Sequence, residues 1–110
     1  MSTAIPLFSN YNITASTVDA GRVVNSQLDW MSIGIAISAV SGTNPQAEFR
    51  VQWSFDNVVW AEALPKDVIG TATQPVSVIQ RFAVKAPYWR LAVTVSGTNP
   101  VFTCTANALI

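Results

Sequence analysis

From Gln46 to Ser54 the chain alternates without a break. Ala47, Phe49, Val51 and Trp53 occupy one parity; Gln46, Glu48, Arg50, Gln52 and Ser54 occupy the other. Successive side chains of an extended strand point to opposite faces, so a period of two over this length specifies a strand with one apolar and one polar face. Such a half-buried strand belongs to an antiparallel sheet with its apolar side covered, leaving Glu48 and Arg50 on the wet side.

The same pattern recurs along the chain. Over 28–40, Met31, Ile33, Ile35, Ile37 and Ala39 share one face, and Trp30, Ser32, Gly34, Ala36 and Ser38 the other. Gly34 and Ala36 make that second face flat, open to close approach by another sheet. The segment 75–85 places Val76, Val78, Phe82 and Val84 together, interrupted by Gln80. Trp89, Leu91, Val93 and Val95 follow on one parity, and Phe102, Cys104, Ala106 and Ala108 close the series. Short strands are expected at 13–18 and around Val23 and Val24, ending near Asn25-Ser26. Residues 1–12 read as an N-terminal arm or an edge strand, and 13–110 as a single domain. Loops are expected at 41–45, 65–74 and 96–100, and a tight hairpin at Asp56-Asn57, because Gly, Pro, Asn and Asp supply turn conformations. About seven or eight short strands at this spacing give an all-β antiparallel sandwich, jelly-roll-like or another Greek key.

Composition agrees. The 14 Val, 8 Ile and 10 Thr outweigh the 5 Leu, a β-branched excess that suits a pleated surface. Half the residues are hydrophobic and only 11% are charged, against roughly 25% in an ordinary soluble domain. Twelve charges spread over a surface on the order of 5,900 Å² leave much of it uncharged, and large uncharged apolar patches mark contacts. The chain is therefore expected to bury part of its outside against other chains.

Chemistry is sparse. Histidine is absent, which removes Ser-His-Asp and Cys-His catalysis. The net charge is zero, with no Lys/Arg cluster of the kind that nucleic acid requires. The lone cysteine, Cys104, makes neither an intramolecular disulfide nor a structural zinc site, and its apolar parity reads as a buried inert thiol. The carboxylates Asp19, Asp29, Glu48, Asp56, Glu62 and Asp67 show no spacing that selects an acid–base pair. No phosphate loop, nucleophile elbow or metal cluster is present. The reading is a non-enzyme with no cofactor and no metal. No apolar run reaches the ~20 residues of a membrane span, so no membrane partner is expected. The N-terminus lacks the features of a secretory signal, which points to folding in a cytoplasm. Trp53 and Trp89 lie on core parities. Trp30 and Trp60 are free to anchor a protein interface, where tryptophan is enriched, or to stack a sugar; the interface is favoured because no convergent polar groups accompany them.

The pentapeptide Ser-Gly-Thr-Asn-Pro occurs twice, at 41–45 and 96–100, each time between an apolar strand and an alternating one. Either one hairpin is echoed in two sheets, or the same turn chemistry has been used twice.

Three segments resemble small virion proteins of tailed bacteriophages. Val51-Gln52-Trp53-Ser54-Phe55-Asp56-Asn57-Val58-Val59-Trp60 is similar to a strand–"Ser-x-Asp-Gly"–Trp hairpin found in phage structural proteins and discoidin-like sandwiches, with Asn57 in place of the usual glycine. Tyr88-Trp89-Arg90-Leu91-Ala92-Val93 resembles the strand that follows it. Val95-Ser96-Gly97-Thr98-Asn99-Pro100-Val101-Phe102-Thr103 resembles the closing hairpin. With 40–44 these cover about half the chain. The resemblance implies a capsid decoration (cement, or auxiliary head) protein: a homotrimeric sandwich located on the virion capsid surface, with the major capsid protein and itself as partners. Phe8 and Tyr11 would then reach a neighbouring subunit, and Trp30, Gly34, Ala36 and Trp60 would lie in interfaces. Phage tail or fibre components and carbohydrate-binding modules are the alternatives.

Overall fold

The computed structural model describes residues 4–24 and 29–109. Every regular element among them is a strand: β1 (Ala4–Ile13), β2 (Thr17–Val18), β3 (Arg22–Val23), β4 (Trp30–Ser54), β5 (Ala61–Ala72), β6 (Val76–Ala83) and β7 (Tyr88–Leu109). All pairings are antiparallel and join the strands into one seven-stranded sheet. The expected limits at Leu28 and Asn25-Ser26 lie outside the described residues.

That sheet cannot be flat. A straight strand of 25 residues would run about 80 Å, yet the longest dimension of the molecule is 42 Å. Both long strands bend midway, and the sheet folds onto itself as a sandwich. In the first layer β1 pairs with the second half of β7, which pairs with the first half of β4, which pairs with β6. In the second layer β2 and β3 pair with the first half of β7, which pairs with the second half of β4, which pairs with β5. Read strand by strand, this is jelly-roll wiring.

The bends are the two Ser-Gly-Thr-Asn-Pro segments. The sequence reading made them loops; in the structure both lie inside continuous strands and pair with each other, Thr43 opposite Thr98. Gly42 and Gly97 sit at φ 111° and 114°, and Asn44 and Asn99 at 48° and 49°. A Cβ on Gly42 would stand 2.6 Å from the Asn99 carbonyl oxygen, and one on Gly97 2.7 Å from that of Asn44. Each glycine thus lets the opposite strand's backbone turn the same corner, and the repeat is one motif used reciprocally about a local two-fold.

One further expectation changes. Residues 65–72, read as loop, belong to β5, which skips from Glu62 opposite Gln52 to Asp67 opposite Val51. The intervening bulge accommodates Pro65, whose missing N–H then costs no ladder bond. Of the two readings of the N-terminal segment, residues 4–12 form the edge strand, with Phe8 opposite Ala106 and half-buried against the core.

The inward parities are those expected. Met31, Ile33, Ile35 and Ile37 of the first layer face Ala47, Phe49, Val51 and Trp53 of the second, with Trp89, Leu91, Val93, Phe102, Cys104, Ala106 and Ala108 between β4 and the edges. The layers meet closely enough that Gly70 lies against Val78. Each fully buried large side chain contributes about 1.5–3 kcal/mol.

Candidate functional site

The two outer faces differ in chemistry. On the second layer, Arg50 ion-pairs with Glu62, and its Nη1 donates to Thr94 Oγ1 at 2.6 Å. Arg90 Nε donates to Gln52 Oε1 at 2.7 Å, and its guanidinium covers the Trp60 ring at 4.5 Å. Glu48 lies 4.0 Å from both Arg50 and Lys66. Asp19 accepts the Leu91 amide and pairs with Arg22; burial pushes its pKa above the ordinary carboxylate value despite both. Lys85 bridges to Asp67 at 2.9 Å, and Asp67 accepts the Trp53 indole N–H at 2.7 Å. Apart from Arg90, which is held by Gln52 and Trp60, these charges pair with one another.

The first layer is nearly free of charge. Residues 4–13, 30–40, 76–83 and 101–109 contain one ionisable side chain that carries charge at neutral pH, Arg81. Its outer face holds a trough of about 710 Å³, floored by Ser32, Gly34 and Ala36 and flanked by Ile79 and Leu109. Ile79 is 79% exposed and Leu109 47%. The small residues at alternate positions of β4 keep the floor low, as their parity implied.

A second apolar surface lies at the β4–β5 hairpin. Phe55, Val58 and Val59 are 81%, 76% and 69% exposed, and Leu64 on the adjacent bulge is 95% exposed. The turn that presents them is held from within. Ser54 Oγ accepts the Asn57 amide at 2.9 Å and donates to Asp56, whose Oδ1 accepts the Val58 and Val59 amides, both at 2.9 Å. Asn57 takes the left-handed conformation at φ 61°, so the expected reversal is present but wider than a two-residue turn. Sequence reading treated 55–58 only as a turn. The signal available was three large apolar residues where turns usually carry polar ones.

Those two amide bonds hold the Asp56 carboxyl below its ordinary value of 3.8. A depressed folded pKa means that the contribution is present above the unfolded value and is lost as pH falls through the folded one. Amide resonances of Val58 and Val59 are therefore expected to shift together on acidification, with a midpoint below 3.8. The core strands should be unmoved over the same range. In Asp56→Ala that shared transition should vanish.

The residues singled out from sequence separate into three places. Gly34 and Ala36 meet on the trough floor. Trp30 lies on the same face of β4, half-exposed, with Arg81 stacked over it at 4.4 Å. Phe8 and Tyr11 stack on each other at 5.2 Å along the β1 edge, away from the trough. Trp60 belongs to the opposite layer. Each of the four tryptophans carries a cation on its ring, from Arg22, Arg81, Lys85 or Arg90, which leaves no pair of bare indole rings side by side for a sugar. Cys104 is buried, and desolvation raises its pKa to about 11, so the thiolate is inaccessible at neutral pH. Among the described residues no group of three His, Cys, Asp or Glu is placed to hold a metal. No helix among them is long and apolar enough to cross a membrane.

Comparison with known proteins returns no matching family model, no similar curated protein and no similar solved structure.

Proposed function

We propose that this chain is a non-enzymatic structural protein of a phage virion that docks on the outside of a capsid and cements it. The observation that carries the reading is the segregation of charge. One layer of the sandwich pairs its ions internally, while the other presents a trough with no charged residue in its lining. Desolvating such a face strands no ion, so it is the less costly side to bury against a partner. The hairpin tip supplies a second apolar surface on the same rigid body, held by the Ser54 and Asp56 bonds. A particle that must resist pressure across the joint between two capsid subunits gains from this arrangement: the face seats on one subunit and the tip on the next. The major capsid protein is then the partner and the capsid surface the location. Several such contacts per assembly add avidity without any single strong one.

The test is a titration of undecorated heads with purified protein. Binding should saturate at a fixed number per capsomer and raise the temperature at which heads release DNA. Binding that never saturates, or leaves that temperature unchanged, contradicts the reading.

A further inference from the structure

Jelly-roll layers have free edges, and this molecule guards all but one of the edges described. The β1 edge carries Pro6, two register shifts and Asn10 at φ 47°. The β5 edge carries two shifts, with Pro65, Lys66 and Asp67 at one of them. The edge formed by β2 and β3 is broken into two-residue pieces around the Asp19–Arg22 ion pair. These are the usual obstacles to pairing with another chain. β6 has none. Its register with β4 runs unbroken from Ala83 opposite Trp30 to Val76 opposite Ile37. Its sequence, Val-Ser-Val-Ile-Gln-Arg-Phe-Ala, contains no proline or glycine and one charge.

The direction of its backbone groups follows from one bond. The Val84 amide donates to the Asp29 carbonyl at 2.9 Å, just beyond the end of β6. Backbone groups alternate sides along a strand, so Phe82, Gln80, Val78 and Val76 face β4, and Ala83, Arg81, Ile79 and Ser77 present N–H and C=O groups outward. We infer that β6 pairs antiparallel with β6 of a second copy of this chain, centred on Ile79. The register follows from the side chains. With Ile79 opposite the partner's Ile79, each covers the other's exposed side chain on the outer face. Arg81 then stands opposite Ser77 of the partner subunit, which keeps the two arginines off each other. Centring on Arg81 would oppose like charges; centring on Ser77 would leave Ile79 and Arg81 beyond the end of the partner strand. The two-fold axis runs perpendicular to the layer, so both charge-free troughs end on the same side of one continuous sheet. A contact of this size falls in the weak, concentration-dependent class. It replaces the trimer that the resemblance implies with a two-fold dimer, and it does not depend on capsid binding.

The experiment uses the full chain. Sedimentation equilibrium of the wild type should show a concentration-dependent mass approaching twice that of the chain. Ile79→Lys should lose the dimer while keeping its melting temperature, because the side chain is exposed. For register, paired positions of this type lie ~5.5 Å apart, inside the ~4.4–6.8 Å window of a disulfide. Ile79→Cys should therefore form a cross-linked dimer on mild oxidation, with Cys104 buried and silent. Ser77→Cys alone should not, whereas a mixture of Ser77→Cys and Arg81→Cys should. A monomer at every concentration, a trimer, or equal cross-linking of Ser77→Cys and Ile79→Cys overturns the inference. Because Ile79 also flanks the trough, head binding by the wild type, measured separately, tells failure of the dimer from failure of the capsid reading.

Discussion

Replacing Gly97 with alanine is expected to lower the free energy of unfolding by about 3–5 kcal/mol, the upper range for a single substitution. Two costs add. The residue sits at φ 114°, where an L side chain is strained by about 1–3 kcal/mol. The new methyl would also stand 2.7 Å from the Asn44 carbonyl oxygen, 2.9 Å from that of Thr43 and 3.0 Å from the Pro45 Cα. All three are backbone atoms of the opposite strand, fixed by the corner, so relief requires opening the bend that joins the layers. Gly42→Ala meets the mirror situation and should cost a similar amount. With total stabilities of roughly 5–15 kcal/mol for domains of this kind, the double variant should lose most or all of its stability. Gly34→Ala is the control. Its Cβ would meet Ile79 Cγ1 at 3.4 Å and the Val78 carbonyl oxygen at 3.9 Å, both ordinary contact distances, at a position without positive φ. It should be neutral, or stabilising by about 0.4–1 kcal/mol, through the unfolded state. Urea denaturation of the variants checks all of this; equal effects at 34 and 97 would refute the corner account.

The second large effect concerns binding. Ala36→Glu places a carboxylate on the trough floor at an exposed site, where free protein can solvate it. Fold and melting temperature should be unchanged. Docked, the carboxylate has no cation in the trough lining, and an unpaired buried charge costs at least several kcal/mol. Affinity for undecorated heads should fall by about 100-fold or more, since 1.4 kcal/mol corresponds to tenfold. Glu48→Gln, on the polar face, should leave affinity nearly unchanged. The measurement is a binding isotherm on heads; equal affinities for wild type and Ala36→Glu would remove the trough from the interface.

Much of the fold is legible in the sequence because period-two alternation reports burial directly. The inward parities of β4 and β7, the burial of Trp53 and Trp89, and the outward placement of Gly34 and Ala36 all follow from it. The corners do not. Gly, Asn and Pro supply the same backbone angles whether a chain reverses or bends within a strand, and only the pairing of Thr43 with Thr98 distinguishes the cases. Pro65 misleads for a similar reason: it rules out a regular central strand but permits a bulge. For the surfaces, the tip escaped notice because Phe55, Val58 and Val59 are too few to show a period. Their exposure depends on how far the hairpin projects. The charge segregation lay in the sequence throughout, yet it has no meaning until topology assigns 4–13, 30–40, 76–83 and 101–109 to one layer. Trp60 shows the reverse: nothing in its sequence neighbourhood constrains it, and the constraint is Arg90, distant in sequence and stacked on its ring.

The most direct measurement of the central claim is amide hydrogen exchange on the protein bound to undecorated heads, against the protein free in solution. Docking through the uncharged face predicts added protection at 105–109, along the trough, with Glu48, Arg50 and Glu62 exchanging as before. Protection confined to the Arg50–Glu62 side, or no protection at saturation, would contradict it.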